Sequence, residues 1–424
     1  MPRCRSRLPG TIAAAALAFV AACGSADHPG LVQPDDNAKP AGELKALPRS
    51  LTAAEQGLVS SANAFSFSLF KQVAGASRDS SVFVSPLSAD FALGMTMGGA
   101  AGATYDQMRS TLAFGTATDA DINASYKSLL TLLTSLDTTT DMRVANSIWY
   151  RSGVAFNQSF LDASKATFNA EVRGLDFTQP SAKTFINAWV STATAGKITT
   201  IIDDIKPEHV MFLINAIYFK GSWRDRFDPA QTKDDVFHGV AGNQPMRLMH
   251  RKGMMRFLFR TDLSAVDLPY GNGAYSMSVI LPAAGTSVDQ VAATLTPAAW
   301  NTLVSQFRDL DSDLWLPKLK LEWERTLNND LKTLGMRDAF VPDGADFTRM
   351  SSSNGTHLFV DQVRQKTYVD INEEGTEAAA VTNVGLSLTS LPPSVRVDRP
   401  YILVIRERLS GTIVFMGKIV RMPS

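Results

Sequence analysis

Glu373-Glu374-Gly375-Thr376-Glu377-Ala378-Ala379-Ala380-Val381-Thr382-Asn383-Val384-Gly385-Leu386-Ser387-Leu388-Thr389-Ser390-Leu391-Pro392-Pro393 is the stretch on which the reading of this chain turns. It holds no Lys or Arg and closes on two prolines, which favour extended backbone and cannot continue a hydrogen-bonded ladder. Its Ser, Thr, Gly and Pro content suggests an exposed loop, and structureless loops of about twenty residues are uncommon and usually functional. Counted at period two, Thr376, Ala378, Ala380, Thr382, Val384, Leu386 and Leu388 form one face that grows from small to large apolar residues. Glu377, Ala379, Val381, Asn383, Gly385 and Ser387 form the other, mostly polar or small. A permanently exposed loop has no use for an apolar face, whereas a strand lying on a core does. The pattern suits a segment with two states, loop and strand. It suits equally a plain strand already paired in a sheet.

Working outward, short motifs follow one another in order along the chain. Phe83-Val84-Ser85-Pro86-Leu87-Ser88 is followed by Gly98-Gly99-Ala100-Ala101-Gly102-Ala103-Thr104, and Asn215-Ala216-Ile217-Tyr218-Phe219-Lys220-Gly221-Ser222-Trp223 comes next. Leu268-Pro269-Tyr270, Leu316-Pro317-Lys318, Leu334-Gly335-Met336 and Phe415-Met416-Gly417-Lys418 complete the series. Together with the octapeptide Glu373 to Ala380, they resemble the serpins, the serine-protease inhibitors that trap their targets, over about residues 55 to 422. The resemblance implies an α+β fold: one domain with three β-sheets, eight or nine helices and an exposed reactive-centre loop, 373–393.

It also implies a mechanism. A protease attacks a bond in the loop and forms an acyl-enzyme; the hinge side then inserts as a new central strand and drags the enzyme across the molecule. The implied role is a suicide inhibitor, not an enzyme, with the target serine protease as covalent partner and no cofactor; a non-inhibitory binding or chaperone-like member is the alternative. From Gly375 to Thr389 the strand would span roughly 50 Å at about 3.3 Å per residue. The hinge is Glu373, Glu374, Gly375, Thr376, Glu377, Ala378, Ala379 and Ala380, and the run Thr376 to Val381 is of the permissive kind, since from Ala378 to Val381 small side chains pass between strands at little steric cost. Counting Glu373 as the first residue, family spacing places the reactive bond after the seventeenth, at Thr389–Ser390, which suits elastase-like proteases. Leu388 or Leu386 as the residue read would favour chymotrypsin-like or subtilisin-like enzymes. With no Arg or Lys from Ala378 to Ser394, trypsin-like targets are not expected.

Other positions carry over residue by residue. Ser85, Ser88 and Asn215 match a polar cluster beneath the sheet where its strands part, and Gln365 stands where the family usually has His. Gln can donate and accept but does not titrate near neutral pH, so pH gating of insertion through that site is not expected. Trp223, Lys318 and Glu373 match the point where insertion begins. A Lys318–Glu373 ion pair would latch it, or would be an exposed pair worth under about 1 kcal/mol. No basic helix face resembles a heparin site, so no glycosaminoglycan is expected.

The periodicities support a mixed domain with helices early and strands late. Leu58, Ala62, Phe65, Leu69 and Val73 mark an amphipathic helix over about 52–73. Ser85-Pro86 opens a small-residue helix whose Gly94, Gly98 and Gly99 would let other backbone pack close. A helix through Phe185, Trp189 and Val190 should end near Gly196. After the turn Gly271-Asn272-Gly273, the alternation of Tyr275, Met277, Val279 and Leu281 predicts a half-buried strand. Tyr401–Ile405 and Thr412–Val420 read as a buried hairpin.

The chain has 424 residues, and 41 Lys and Arg balance 41 Asp and Glu, which argues against a nucleic-acid partner. Both cysteines, Cys4 and Cys23, lie at the N-terminus, so no disulfide framework or cysteine metal site is expected in the folded part. Arg3, Arg5 and Arg7 precede an apolar run, Thr11 to Ala22, about half the roughly 20 residues of a transmembrane helix. Val20-Ala21-Ala22-Cys23-Gly24 resembles a bacterial lipobox. The expected organisation is a lipoprotein signal, 1–22; a Pro-punctuated tether, 23–50, lipidated at Cys23; and the serpin domain, 51–424. An exported monomer, anchored by lipid to the outer membrane or cell surface, follows as the expected location. Enzyme signatures are missing: no Gly-x-Ser-x-Gly elbow, His-Glu-x-x-His helix or Walker loop is present, and the five histidines have no metal-like spacing. The acidic pairs Asp203-Asp204, Asp234-Asp235 and Glu373-Glu374 are expected to be solvated.

Overall fold

Thr52 opens the first helix, accepting from the Glu55 backbone while the Glu55 carboxylate accepts from Thr52 N, a reciprocal cap. The computed structural model describes residues 42–353, 355, 357–376 and 393–423, all within one compact unit, 34–424. Helix α1, Ala53–Ala76, buries Leu58, Ala62, Phe65, Leu69 and Val73, the face its spacing predicts. Ser85 caps α2, Pro86–Met97, whose Pro sits at the start where no backbone donor is needed. Gly94 of α2 and Gly99 just beyond it act differently from expectation. A Cβ at Gly94 would lie 2.6 Å from the Tyr126 hydroxyl, and one at Gly99 the same distance from Met350 Cε. Side chains rather than backbone occupy the room.

Seven further α-helices lie among the described residues: α3 (Gly102–Thr111), α4 (Asp119–Ser135), α5 (Gln158–Phe168), α6 (Pro180–Ala193), α7 (Val288–Thr294), α8 (Pro297–Gln306) and α9 (Asn328–Thr333). Helix α6 buries Ile186 and Val190 in a small core around Trp149, against whose ring Phe185 and Trp189 pack edge-on.

The large sheet follows the order β1 (Val82–Val84), β15 (Ile413–Ile419), β14 (Tyr401–Glu407), β8 (Tyr275–Pro282), β7 (Leu263–Pro269), β6 (Gly242–Phe259), β9 (Arg308–Pro317), β13 (Ser394–Arg396), with β5 (Lys233–Gly239) also on β6. β14 and β15 form the expected hairpin. β8 does not have its expected wet face: all eight residues are buried, and Ser278 resolves its polarity by donating to Asp267 at 2.7 Å.

Two smaller sheets position the site. One pairs β10 (Leu319–Thr326) with β11 (Arg364–Ile371); the other runs β12 (Gly375–Thr376), β4 (Met211–Ser222), β2 (Thr140–Arg151), β3 (Glu171–Leu175). Among the described residues no ladder joins β4 to β11; β12 alone stands between them. The main core packs under these strands through Ile217 and Phe219, and the α6 core packs on their other face through Ile214 and Ala216.

The segment expected to be tether as far as residue 50 is docked from residue 44. Leu44 and Leu47 pack on the core, Leu44 N donates to Asn272 O, and Arg49 forms an ion pair with Glu55 at 2.6 Å. Apolar side chains at 44, 47 and 51 gain more from burial than a solvated spacer would.

Candidate functional site

Strand β11 ends at Ile371, and the chain turns back at once: Asn372 and Gly375 form an antiparallel bridge, and the Asn372 amide oxygen accepts from Glu374 N at 3.0 Å. Gly375 then pairs with Ser222 and Thr376 with Gly221 on β4. This turn requires glycine. Gly375 has φ of +145°, and a Cβ there would lie 2.2 Å from the Gly221 carbonyl oxygen.

Trp223 organises the approach. Its indole N–H donates to Asn372 O at 2.9 Å, its backbone N donates to Glu374 O at 2.8 Å, and its ring stacks on Tyr270 at 4.5 Å. Glu373 faces inward at 8% exposure, contrary to the solvated acidic pair expected from sequence. Its carboxylate accepts from Lys318 Nζ at 2.6 Å and from the Thr232 hydroxyl at 2.7 Å. Burial pushes the Glu373 carboxyl up, but the Lys318 and Thr232 hydrogen bonds outweigh it and hold the group below its ordinary range. The Glu373 carboxylate is therefore a buried group with two donors rather than half of an exposed pair, although Lys318 itself stays 39% exposed. Thr232 carries no motif in the sequence; only its side-chain bond to Glu373, across 141 positions, marks it.

The residues expected to cluster beneath the sheet divide into two groups. Gln365 clasps the Ser85 backbone with both ends of its amide, donating to Ser85 O at 2.7 Å and accepting from Ser85 N at 3.0 Å. The Ser85 hydroxyl accepts from Ser88 N at 3.3 Å as the cap of α2 and donates to Val414 O at 2.9 Å. Asn215 belongs elsewhere: it donates to Asn146 Oδ1 at 2.6 Å, and Asn146 in turn donates to Phe168 O at 2.7 Å. Asn215 Oδ1 is buried without a partner. Ser88, Asn215 and Gln365 all line a cavity of about 520 Å³ that opens between the first residues of β4 and β11, with Ala92 and Leu93 of α2 beneath.

Glu377, Ala378, Ala379, Ala380, Leu388, Thr389 and Ser390 lie outside the described residues, as do Cys23 and the expected signal segment. Among the described residues no helix is long and apolar enough to cross a membrane.

The comparisons agree with this geometry. Residues 60–422 match the serpin (serine protease inhibitor) family model. The chain is 30% identical over 416 residues to an uncharacterized serpin-like protein of Thermococcus kodakarensis, covering 95% of this chain and 96% of that one. Among solved structures it is similar to Tengpin, a thermophilic serpin in its native state, with a TM-score of 0.78, 31% identity, and coverage of 89% of this chain and 98% of that one. It is similar also to human thyroxine-binding globulin, with a TM-score of 0.80, 27% identity, and coverage of 88% of this chain and all of that one. With a family match across most of its length and the same fold in solved relatives, this chain belongs to the serpins, whose members are typically protease inhibitors.

Proposed function

We propose that this protein is a suicide inhibitor of serine proteases, which presents loop 373–393 as bait and inserts its hinge side between β4 and β11 after cleavage. One observation carries the reading: Gly375 and Thr376 already pair with Ser222 and Gly221. Continued in that register, Ala378 would face Phe219, Ala380 Ile217, Thr382 Asn215, Val384 Leu213 and Leu386 Met211, at the first residue of β4. Directly opposed residues of an antiparallel pair point to the same face. Phe219 and Ile217 belong to the main core, and Leu213 and Met211 pack against it, so the apolar face of the segment would be buried there. Glu377, Val381 and Asn383 would face the other way. Insertion would add backbone hydrogen bonds and bury the large apolar end, so the intact form is metastable relative to the cleaved one.

In the reaction, the protease serine oxygen bonds to the Thr389 carbonyl carbon, the Thr389–Ser390 bond breaks, and Ser390 leaves with a new amino terminus. Insertion then carries the acyl-linked enzyme away before water can release it. A Thr on the acyl side favours elastase-like targets, and Leu388 as the residue read favours chymotrypsin-like ones. The protein acts without cofactor, as a monomer. It is exported and anchored through lipid on Cys23 to the outer membrane or cell surface, with the tether shortened by the docking of residues 44–50. Similarity to thyroxine-binding globulin keeps a non-inhibitory binding role as the second reading.

The test is to mix the body, from Ser25, with an elastase and with chymotrypsin, and to run denaturing gels and mass spectrometry. A complex that survives denaturation, with a released peptide starting at Ser390, is expected. A different first residue would move the bond. Cleavage without complex across both classes would favour the non-inhibitory role.

A further inference from the structure

Strand β9 carries Asp309, Asp311 and Asp313 at alternate positions, so all three lie on one face. Aspartate is disfavoured in strands, and like charges on one face repel. Asp313 finds a partner within the chain: His250 of β6 stacks on Trp315 at 4.6 Å, with Nε2 2.8 Å from Asp313 Oδ1. Asp309 and Asp311 are exposed, and among the described residues neither forms an ion pair. Arg256, opposite Asp309 on β6, is engaged by Asp267 at 3.0 Å. Opposite Asp311 stands Met254, at 60% the most exposed large apolar side chain among the described residues. Lys252, opposite Asp313, is exposed and also free of ion pairs among the described residues. The other face of these strands, with Met255, Leu314 and Leu316, is buried in the main core. The outer face is thus firmly backed, and its carboxylates and its thioether serve no purpose inside the molecule.

Strand β13 fixes where this face lies relative to the loop. Ser394 pairs with Asp313 in parallel, and Asp313 N donates to Pro393 O at 3.3 Å. Pro393 therefore lies on the Asp311 side of Ser394. With strands about 4.8 Å apart and about 3.3 Å per residue, Asp311 lies about 8 Å and Met254 about 12 Å from Ser394. Ser390 is four residues before Ser394, so it lies at most about 14 Å away. A compact protease domain of about 230 residues has a radius of gyration of about 17 Å. An enzyme seated on Thr389–Ser390 therefore extends over the outer face of β6 and β9.

We propose that Met254, Asp309 and Asp311 make a second contact with the target protease, one that selects enzymes whose surface beside the cleft is basic around an apolar patch. The inference rests on the inhibitor reading above. Met254 supplies an unbranched, adaptable apolar anchor. The two unpaired carboxylates steer a cationic surface towards it. Lys252 bounds the contact, since it repels a cation placed over Asp313. These residues set target choice; they touch neither the reactive bond nor the inserting segment.

The test uses Met254→Ser, Asp309→Asn with Asp311→Asn, and Asp311→Lys. Second-order rate constants of complex formation are measured with whichever of an elastase and chymotrypsin wild type traps faster, at about 0.05 M and about 0.5 M salt. Each variant should lower the constant by about threefold or more at low salt. The charge variants should converge on wild type at high salt, whereas Met254→Ser should not. Melting temperature and the trapped-to-cleaved ratio should stay as in wild type. Constants within about twofold of wild type for every variant would overturn the second contact and leave the inhibitor reading intact. A faster reaction of the charge variants would overturn the basic partner. A fall that tracks a lowered melting temperature would overturn the contact as a folding effect. A dimer lost in Met254→Ser at unchanged constants would give the face to a second copy of the chain. A wild type that traps neither enzyme would overturn both readings.

Discussion

Gly375 concentrates the hinge into one backbone angle. No L side chain fits at φ of +145° with Gly221 O, Ser222 Cα and Trp223 N at 2.2, 2.6 and 2.7 Å from the Cβ position. Gly375→Ala should therefore break the first pairing on β4 and cost about 1–3 kcal/mol, read as a lower urea midpoint. An unchanged midpoint would mean that the turn relaxes freely. The glycine and the small residues after it are legible in sequence, because side-chain size and permitted φ are properties of single residues. The burial of Glu373 is not. Its partners, Thr232 and Lys318, arrive from 141 and 55 positions away, and a carboxylate without those donors would stay in water.

Helix α2 holds an ionisable group that neither the family resemblance nor periodicity brings out. Asp90 is fully buried, accepts from the Tyr126 hydroxyl at 3.0 Å, and leaves its other oxygen without a partner. Burial pushes its pKa up to about 7, with the Tyr126 hydrogen bond opposing. A carboxyl raised on folding stabilises fully below its unfolded value, about 3.9, and the benefit is lost as pH rises through the folded value. A gap of about three pH units, at about 1.36 kcal/mol each, sets an upper bound of roughly 4 kcal/mol. Wild type should thus lose stability between about pH 4 and pH 7 through this group, and Asp90→Asn should flatten that slope in urea titrations at pH 5 and 8. A slope identical in both proteins would place the titration elsewhere. At this scale the sequence was a good guide to α1 and to the β14–β15 hairpin, whose patterns are local. It misjudged β8, because a strand buried on both faces can hide serines once Asp267 lies within reach.

Across the molecule, the proposed function turns on the division between β4 and β11. The register begun by Gly375 and Thr376 would lead each inserted residue past core neighbours, so a charge near the start should be the most costly. Thr376→Arg should convert the inhibitor into a substrate: loop cleavage continues, the denaturation-resistant complex falls by at least about tenfold, and the gain in thermal stability on cleavage is lost. Retained complex formation would sink the insertion argument. The alternating face of the segment was readable at period two, but where it would land was not, since that depends on the pairing of Thr376 with Gly221.

The sequence alone determined the family, because its motifs rest on residue types at short spacings. Tertiary structure decided which groups meet. Asn215 turns to Asn146 instead of Ser85, Thr232 joins Lys318 at Glu373, and Asp203 reaches Arg364 across 161 positions. Such contacts follow from strand order and register, which bring distant segments within hydrogen-bonding range, and no local pattern encodes that distance.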